Sequence, residues 1–360
     1  MTPLLANPIL CAAVERSLPR PLPHRRERVW NPGGSEAERS PQGAQKISAF
    51  SRSAVPRADD IRLQEVAGSP AAVDEEGALM IDLAAVRAWY AQELRYAAAV
   101  KSSAIVRAFA AVPRERFLGP GPWQICTGDG PNKYWSTEDD DPRCVYHNVV
   151  IGMLTEKGLN NGQPSLWAYL FDRLDLTPGK RVLHLGCGAG YYSAVLAEIV
   201  GPSGAVAGLD LEEPLIARAR SSLTSWPHVT VSLANAAAYV PTEVDIILAS
   251  AGATHPMPQW LDALQPGGQL LLPLTGERGW GQTLLVTRPA DGRGFAAQLA
   301  GYVGIYAFAG AREVGNAKRI DAAVRRGDMG TVKSLRREAH DEDGTCWLHA
   351  DGWCLSRQEV

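Results

Sequence analysis

The feature that most constrains the fold of this chain is a glycine-rich loop between an apolar segment and a helix-forming segment. The apolar segment covers residues 182–185, the loop covers 186–190, and a helix is predicted over 192–200. Short apolar runs bounded by turn residues are typical of strands buried in a parallel sheet. Glycine at the first, third and fifth loop positions lets the backbone approach a ligand, because glycine lacks Cβ and tolerates positive φ. The sequence therefore predicts a ligand site at the carboxyl end of this strand.

The spacing of residues within the loop distinguishes between the possible classes of ligand. A dinucleotide loop needs glycine or alanine at its sixth position, which is Tyr191 here, and a Walker loop needs Lys followed by Ser or Thr after the glycines. Neither condition is met. A second apolar segment, 205–209, ends at Asp210, about twenty residues beyond the loop, where a carboxylate can accept hydrogen bonds from both hydroxyls of an adenosine ribose. The pattern therefore favours an adenosine-containing ligand and argues against a dinucleotide loop or a Walker loop.

Alternation of strands and helices predicts the fold class. Strands are expected at 229–233, 244–250, 269–274, 283–288 and 299–308, with helices at 214–223 and 258–264. Such alternation predicts a doubly wound α/β fold of the Rossmann-like type with a mostly parallel sheet. The last strands follow one another without a helix, so we expect an antiparallel edge.

The chain divides into four predicted parts. Residues 1–78 are expected to be a disordered leader, since they are rich in proline, glycine and arginine and lack an apolar period. Residues 79–159 are expected to hold two helices and a long loop, 119–143, with Trp123, Tyr134 and Trp135. These aromatic side chains either fix the loop to the surface or form a lid or substrate wall. Residues 160–310 form the ligand-binding domain, and 311–360 a helical extension with helices at 318–326 and 333–340.

Composition excludes some partners. A net charge of −3 gives no electrostatic argument for nucleic acid. The sequence contains no run of eighteen apolar residues, so it predicts no membrane span. The six cysteines are scattered and no secretory apolar region is present, so we expect a cytoplasmic protein. A monomer is expected.

Several motifs carry a resemblance to a known family. The G-x-G-x-G loop resembles that of S-adenosylmethionine-dependent methyltransferases. The segment 112–117, Gln163 with Pro164, and the run 264–274 resemble the corresponding segments of protein-L-isoaspartate O-methyltransferases. The resemblance covers 112–310, a little over half of the chain. It implies a methyltransferase enzyme that uses S-adenosylmethionine to methylate a carboxylate of a protein or peptide.

The resemblance also assigns site residues. The cofactor contacts are expected from the loop and the ends of the second and third strands: Gly186, Cys187, Gly188, Gly190, Tyr191, Asp210, Leu211, Asn235 and Ala236. Asn235 replaces the aspartate of the family's Gly-Asp-Gly motif and is expected to accept a hydrogen bond from the adenine amino group. Gly162 stands where the family has a serine beside the reacting centre. Asn160, Asn161 and Ser165 are the expected replacements, together with Gly162 itself.

The expected catalysis depends on positioning the substrate carboxylate against the methyl donor. A carboxylate is already ionised at neutral pH, with a reference pKa of about 4, so it needs no general base. The alternatives are methylation of nitrogen on a nucleobase or amine, a module that only binds S-adenosylmethionine, and an NAD-dependent oxidoreductase. His255 is a candidate base for the nitrogen alternative, although loop histidines more often serve packing.

The extension contains four candidate metal ligands. These are His340, Cys346, His349 and Cys354, whose spacing matches no common zinc finger. We therefore expect no metal, and expect Trp347, Leu348 and Trp353 to pack as a hydrophobic clip against the sheet.

Overall fold

The structure is a computed structural model that describes residues 82–127 and 133–360. The predicted leader, residues 1–78, lies outside the described residues. Three helices open the described part: α1 (Leu83–Ala97), α2 (Ser103–Ala111) and α3 (Glu115–Leu118). Asp82 caps α1 by accepting hydrogen bonds from the N–H groups of Ala84 and Ala85, and Ser102 caps α2. The two predicted N-terminal helices are confirmed.

A small antiparallel sheet follows, with strands β1 (Gln124–Cys126), β2 (Tyr134–Ser136), β3 (Ile151–Leu154) and β4 (Leu159–Asn161) in the order β2-β1-β3-β4. The prediction that 119–143 is entirely loop is wrong, because it contains the β1–β2 hairpin. Strands of three residues are too short to show a period-two pattern. Trp123 is buried and its indole N–H donates to the Gly119 carbonyl, whereas Trp135 is exposed.

The main sheet has ten strands in the order β13-β14-β12-β11-β10-β9-β8-β5-β6-β7. Its central elements are α4 (Pro164–Phe171), β5 (Arg181–Leu185), α5 (Tyr191–Val200), β6 (Ala205–Asp210), α6 (Glu213–Ser222), β7 (Val229–Leu233), β8 (Val244–Ala249), α7 (Pro258–Asp262), β9 (Leu264–Thr275), β10 (Trp280–Thr287) and β11 (Ala296–Gly304). The five strands from β7 to β9 are parallel, and β10 and β11 continue the sheet antiparallel. The predicted Rossmann-like sheet and its antiparallel edge are confirmed.

Strand β5 pairs with β6 on one side and β8 on the other. The chain therefore reverses its direction of winding at β5, and the crevice at such a switch point is where open α/β sheets bind ligands. Two apolar clusters cover the faces of the sheet. One contains the N-terminal helices and the aromatic rings of α4 and α5, and the other contains α7 and the C-terminal part.

The C-terminal part comprises α8 (Val314–Arg326), β12 (Ser334–Arg336), β13 (Cys346–Ala350) and β14 (Trp353–Ser356). The helix predicted at 318–326 is confirmed, and the helix predicted at 333–340 is wrong. Strand pairing overrides the helix propensity of this segment. Ser334 pairs with Ala296 of β11 and Ser356 of β14, and Leu335 is buried. In the described ranges, no helix is long and apolar enough to cross a membrane.

Candidate functional site

A cleft with a volume of about 200 Å³ lies at the carboxyl ends of β5, β6 and β8 and is partly open to solvent. The glycine loop forms one side, and residues 304–309 form the opposite side. The substrate-side segment, residues 159–163, closes one end together with Trp167.

The three loop glycines have different functions. All have positive φ, between +56° and +90°. A Cβ at Gly188 would meet no atom within 4 Å, because the position faces the open cleft. A Cβ at Gly190 would lie 2.8 Å from Leu223, so this glycine permits close packing against the end of α6 and does not line the cleft. Gly186, Cys187 and Gly188 do line it.

Asp210 lies at the end of β6 beside the loop. Its carboxylate accepts hydrogen bonds from the backbone N–H of Gly188, at 2.7 Å, and of Glu212, at 3.0 Å. Burial raises the pKa of the Asp210 carboxyl above its usual value, although hydrogen bonds from backbone N–H groups oppose this shift. Asp210 and Leu211 both line the cleft. The carboxylate therefore positions the loop and borders the cleft.

Two predicted cofactor residues are directed elsewhere. Tyr191 is buried in the aromatic cluster, where its hydroxyl pairs with that of Tyr90, and the next residue, Tyr192, lines the cleft instead. Both belong to α5, in which consecutive side chains point about 100° apart. Asn235 is exposed, and its side-chain oxygen accepts from the N–H of Ala237 at 3.0 Å. Asn235 thus stabilises a turn, and Ala236 lines the cleft.

The substrate-side segment brings together three of the four predicted catalytic residues. Asn160, Asn161 and Gly162 line the cleft, whereas Ser165 does not. Ser165 lies in the first turn of α4, where its backbone N–H donates to Asn148. Asn160 accepts a 2.7 Å hydrogen bond from the Tyr134 hydroxyl, so the β1–β2 hairpin supports the segment.

Arg114 fixes Asn161. Its guanidinium is fully buried and donates from Nε and Nη2 to the side-chain oxygen of Asn161, at 3.1 and 2.9 Å. The same guanidinium donates to the carbonyls of Val145, His147 and Val149. This planar group thus donates hydrogen bonds both to the loop at 145–149 and to β4, which are not paired to each other as strands. Arg114 belongs to the segment 112–117 that resembles the family, and the sequence alone did not predict its function.

Trp167 occupies the space beside Gly162. A Cβ built on Gly162 would lie 2.5 Å from the indole Nε1 of Trp167, which is itself only 3% exposed. The Tyr192 hydroxyl donates to the Gly162 carbonyl and its ring lies 5.5 Å from that of Trp167. Glycine at 162 is therefore matched to a tryptophan at 167, and the indole N–H edge stands where a serine side chain would begin.

His184 lines the floor of the cleft and was not predicted. Its two ring nitrogens lie 2.8 Å from the hydroxyls of Ser193 on α5 and Ser250 after β8. Complete burial lowers the pKa of His184 to about 3, so the imidazole is neutral at physiological pH. A single polar residue within a buried apolar strand was the available signal. Tyr306 and Phe308 of the opposite side were also missed.

The candidate base His255 does not line the cleft. Its Nδ1 lies 3.2 Å from the Thr254 hydroxyl, and its Nε2 lies 3.9 Å from a Glu313 carboxylate oxygen. Its ring is thus held between these neighbours, in the packing arrangement that is more common for loop histidines.

Comparisons with known proteins identify the family of this chain. The family model described as Protein-L-isoaspartate(D-aspartate) O-methyltransferase matches residues 139–303. A protein-L-isoaspartate O-methyltransferase of Methanothrix thermoacetophila is 31% identical over 189 residues, which is 51% of this chain and 79% of the relative. One from Methanothermobacter thermautotrophicus is 28% identical over 201 residues, 55% of this chain and 83% of the relative.

A solved structure of a protein-L-isoaspartate O-methyltransferase gives a TM-score of 0.51 at 21% identity, covering 66% of this chain and 69% of that one. This likeness supports the fold. Since the Methanothrix relative matches across most of its own length, the chain belongs to the protein-L-isoaspartate O-methyltransferase family.

Proposed function

We propose that this protein is a methyltransferase that transfers the methyl group of S-adenosylmethionine to a carboxylate of a protein or peptide. The observation that carries the proposal is one cleft that joins the glycine loop and Asp210 to the substrate-side segment, in a chain of this family. The expected protein substrate, cytoplasmic location and monomeric state are parts of the same proposal.

The residues of the cleft fit the cofactor. Gly188 leaves open the space that a Cβ would fill, so the loop backbone can lie against a ligand. Asp210 offers carboxylate oxygens at the cleft wall, where ribose hydroxyls can donate to them. Leu211 and Ala236 add small apolar surfaces on the same side. When bound, S-adenosylmethionine supplies a methyl group activated by its sulfonium centre.

The chain's own contribution is to position and to exclude water. A substrate carboxylate is already nucleophilic at neutral pH, so the protein does not have to remove a proton from it. His184, neutral and held by two serines, is suited to fixing the floor of the cleft and not to titrating. Trp167 and Tyr192 present rigid aromatic surface beside the substrate-side segment, which favours one orientation of an entering side chain.

The experiment that tests this proposal uses the lability of the product. The protein is incubated with a peptide pool and labelled S-adenosylmethionine, and the labelled products are exposed to mild base. Methyl esters release methanol under these conditions, whereas N-methyl groups remain. Label that survives base would assign the nitrogen class, and cofactor binding without any transfer would assign a binding module.

Within carboxylate methylation, we propose that the substrate is not limited to isoaspartyl residues and includes a dedicated peptide partner. Gly162 with Trp167 alters the wall where the family has serine, and the β1–β2 hairpin adds surface next to it through Tyr134. Labelled transfer to an isoaspartyl peptide is compared with transfer to its aspartyl counterpart. Robust activity confined to the isoaspartyl peptide would contradict this specialisation while leaving the reaction class intact.

A further inference from the structure

Four metal-ligand side chains meet at the edge of the main sheet, far along the sequence from the cleft residues. They are His340, Cys346, His349 and Cys354, and their potential ligand atoms all lie within 4.8 Å of one another. Two come from β13, one from β14, and His340 from the loop that precedes β13. This group is defined here as the edge cluster.

A β-bulge creates the edge cluster. Cys346 pairs with Ser356, Leu348 with Leu355, and His349 with Cys354, so β13 has one more residue than β14 between the first two pairs. Side chains three positions apart normally point to opposite faces of a strand, but the extra residue, Trp347, restores Cys346 and His349 to the same face. Cys354 lies opposite His349 and therefore shares that face.

The separations match tetrahedral coordination. The Sγ of Cys346 lies 3.5 Å from Nε2 of His340 and 3.8 Å from Nδ1 of His349. Bonds of about 2.3 Å to sulfur and about 2.0 Å to nitrogen place the S and N of a tetrahedral zinc site about 3.5 Å apart. The two imidazole rings are nearly perpendicular, at 82°, with centroids 4.8 Å apart. All four groups thus fit round one ion with little movement.

The surroundings orient one ligand. Nδ1 of His340 lies 2.9 Å from the carbonyl oxygen of Glu338, which accepts only a hydrogen bond, so Nδ1 carries the proton. Nε2 of His340 therefore presents its lone pair toward Cys346. A backbone carbonyl that fixes the tautomer of a histidine ligand is a common outer partner in zinc sites.

We propose that the edge cluster is a structural zinc site with two cysteine and two histidine ligands. A sulfur and nitrogen set in tetrahedral arrangement selects zinc over magnesium or calcium. Four protein ligands close the coordination sphere, which is the pattern of structural rather than catalytic sites. Cys354 is fully buried and Cys346 is 6% exposed, whereas both histidines are half-buried, so an ion here is shielded from solvent on its sulfur side. The zinc fastens the hairpin and the loop at 337–345 to each other.

The expected hydrophobic clip and the zinc site are compatible. Trp347, Leu348 and Trp353 are buried and belong to the apolar cluster on the sheet. The clip therefore packs the hairpin inward, and the edge cluster fastens it to its preceding loop.

Zinc content tests the proposal directly. The full chain, purified with reductant and freed of any affinity tag, is expected to contain one zinc per chain by mass spectrometry. The variants Cys354→Ser and His340→Ala are expected to lose it. Cys144→Ser and His147→Ala, which alter the same residue types outside the cluster, are expected to keep it. Retention of zinc in both cluster variants would place the metal elsewhere and overturn the proposal.

Cobalt substitution gives a second readout that does not depend on activity. Co²⁺ added to metal-free protein is expected to produce thiolate-to-cobalt charge transfer and the intense visible bands of tetrahedral Co²⁺, and zinc is expected to abolish them. His340→Ala changes a half-buried loop residue, so the variant should remain folded and its spectrum interpretable. A folded, reduced wild-type protein that takes up neither zinc nor cobalt would refute the site. A disulfide between Cys346 and Cys354 in the purified protein would also refute it.

Discussion

At the residue scale, Asp210 both supports the glycine loop and borders the cleft with its carboxylate. We expect Asp210→Asn to weaken S-adenosylmethionine binding by about 1.5–3 kcal/mol, because charge-assisted hydrogen bonds from the ribose are lost. Isothermal calorimetry measures the change. The matched control is Glu212→Gln, which also borders the cleft and pairs with Lys157. Unchanged affinity in Asp210→Asn would contradict the assignment of this carboxylate.

The affinity is also expected to depend on pH through Asp210. Its pKa is raised by burial, and a protonated carboxyl loses its capacity to accept a hydrogen bond at one oxygen. Binding should therefore be full above the raised pKa and weaken as the pH falls through it. Calorimetric titrations from neutral to acidic pH measure the slope. In Asp210→Asn the decrease should be smaller, and an equal slope in both proteins would assign the effect to another group.

Gly162 is constrained by its neighbour Trp167. Serine at this position is expected not to increase isoaspartyl methylation and to lower the free energy of unfolding by about 1–3 kcal/mol, because its Cβ overlaps the indole of Trp167. Denaturant unfolding and labelled methyl transfer measure the two effects. The double variant Gly162→Ser, Trp167→Phe removes Nε1 and should recover part of the stability. A gain of isoaspartyl activity in the single variant would contradict the steric argument.

At the scale of elements, Arg114 links the start of α3 to β4 and to the loop at 145–149. Lysine keeps the charge but has three donors without the planar fork, so several buried acceptors lose their partners. We expect Arg114→Lys to reduce the free energy of unfolding by about 3 kcal/mol, since each unpaired buried polar group costs about 1–3 kcal/mol. Chemical denaturation measures this loss.

The chain supplies a control for that measurement two residues later. Arg116 is exposed and its hydrogen bonds are long, at 3.4 Å. Arg116→Lys should therefore change stability by only a few tenths of a kcal/mol. Equal effects at the two positions would show that burial of the guanidinium is not what makes Arg114 important.

At the scale of the whole molecule, His184 couples folding to pH. The unfolded chain takes up a proton near the ordinary histidine pKa of about 6.5, whereas the folded chain does so only at about 3. The unfolded state therefore binds more protons between these values, and stability falls as the pH decreases through that window. At about 1.4 kcal/mol per pH unit, this one group should cost about 2 kcal/mol by about pH 5.

Unfolding free energies at neutral pH and at about pH 5 measure this cost. His184→Gln keeps hydrogen-bonding groups near Ser193 and Ser250 but does not titrate, so its pH dependence should be smaller by that amount. The carboxylates contribute equally to both proteins, so the difference isolates His184. Parallel pH profiles would contradict the buried neutral histidine.

The sequence by itself determined the features that depend on neighbouring residues. The strand, the glycine loop and the helix after it are contiguous, and Asp210 follows at a distance set by one helix and one turn. Their placement at one edge of a parallel sheet then follows from the right-handed connection of the strands. For this reason residue spacing was enough to place Gly186, Gly188 and Asp210 at the cleft.

Only the tertiary structure decided the features that depend on contacts between distant segments. The direction of Tyr191 was settled by the aromatic cluster, and the function of Arg114 by carbonyls more than thirty residues away. The space at Gly162 was settled by Trp167. The edge cluster arises from a bulge and a loop, whose geometry leaves no periodic trace in the sequence. Side-chain direction and long-range proximity are properties of the packed chain, so residue spacing alone does not specify them.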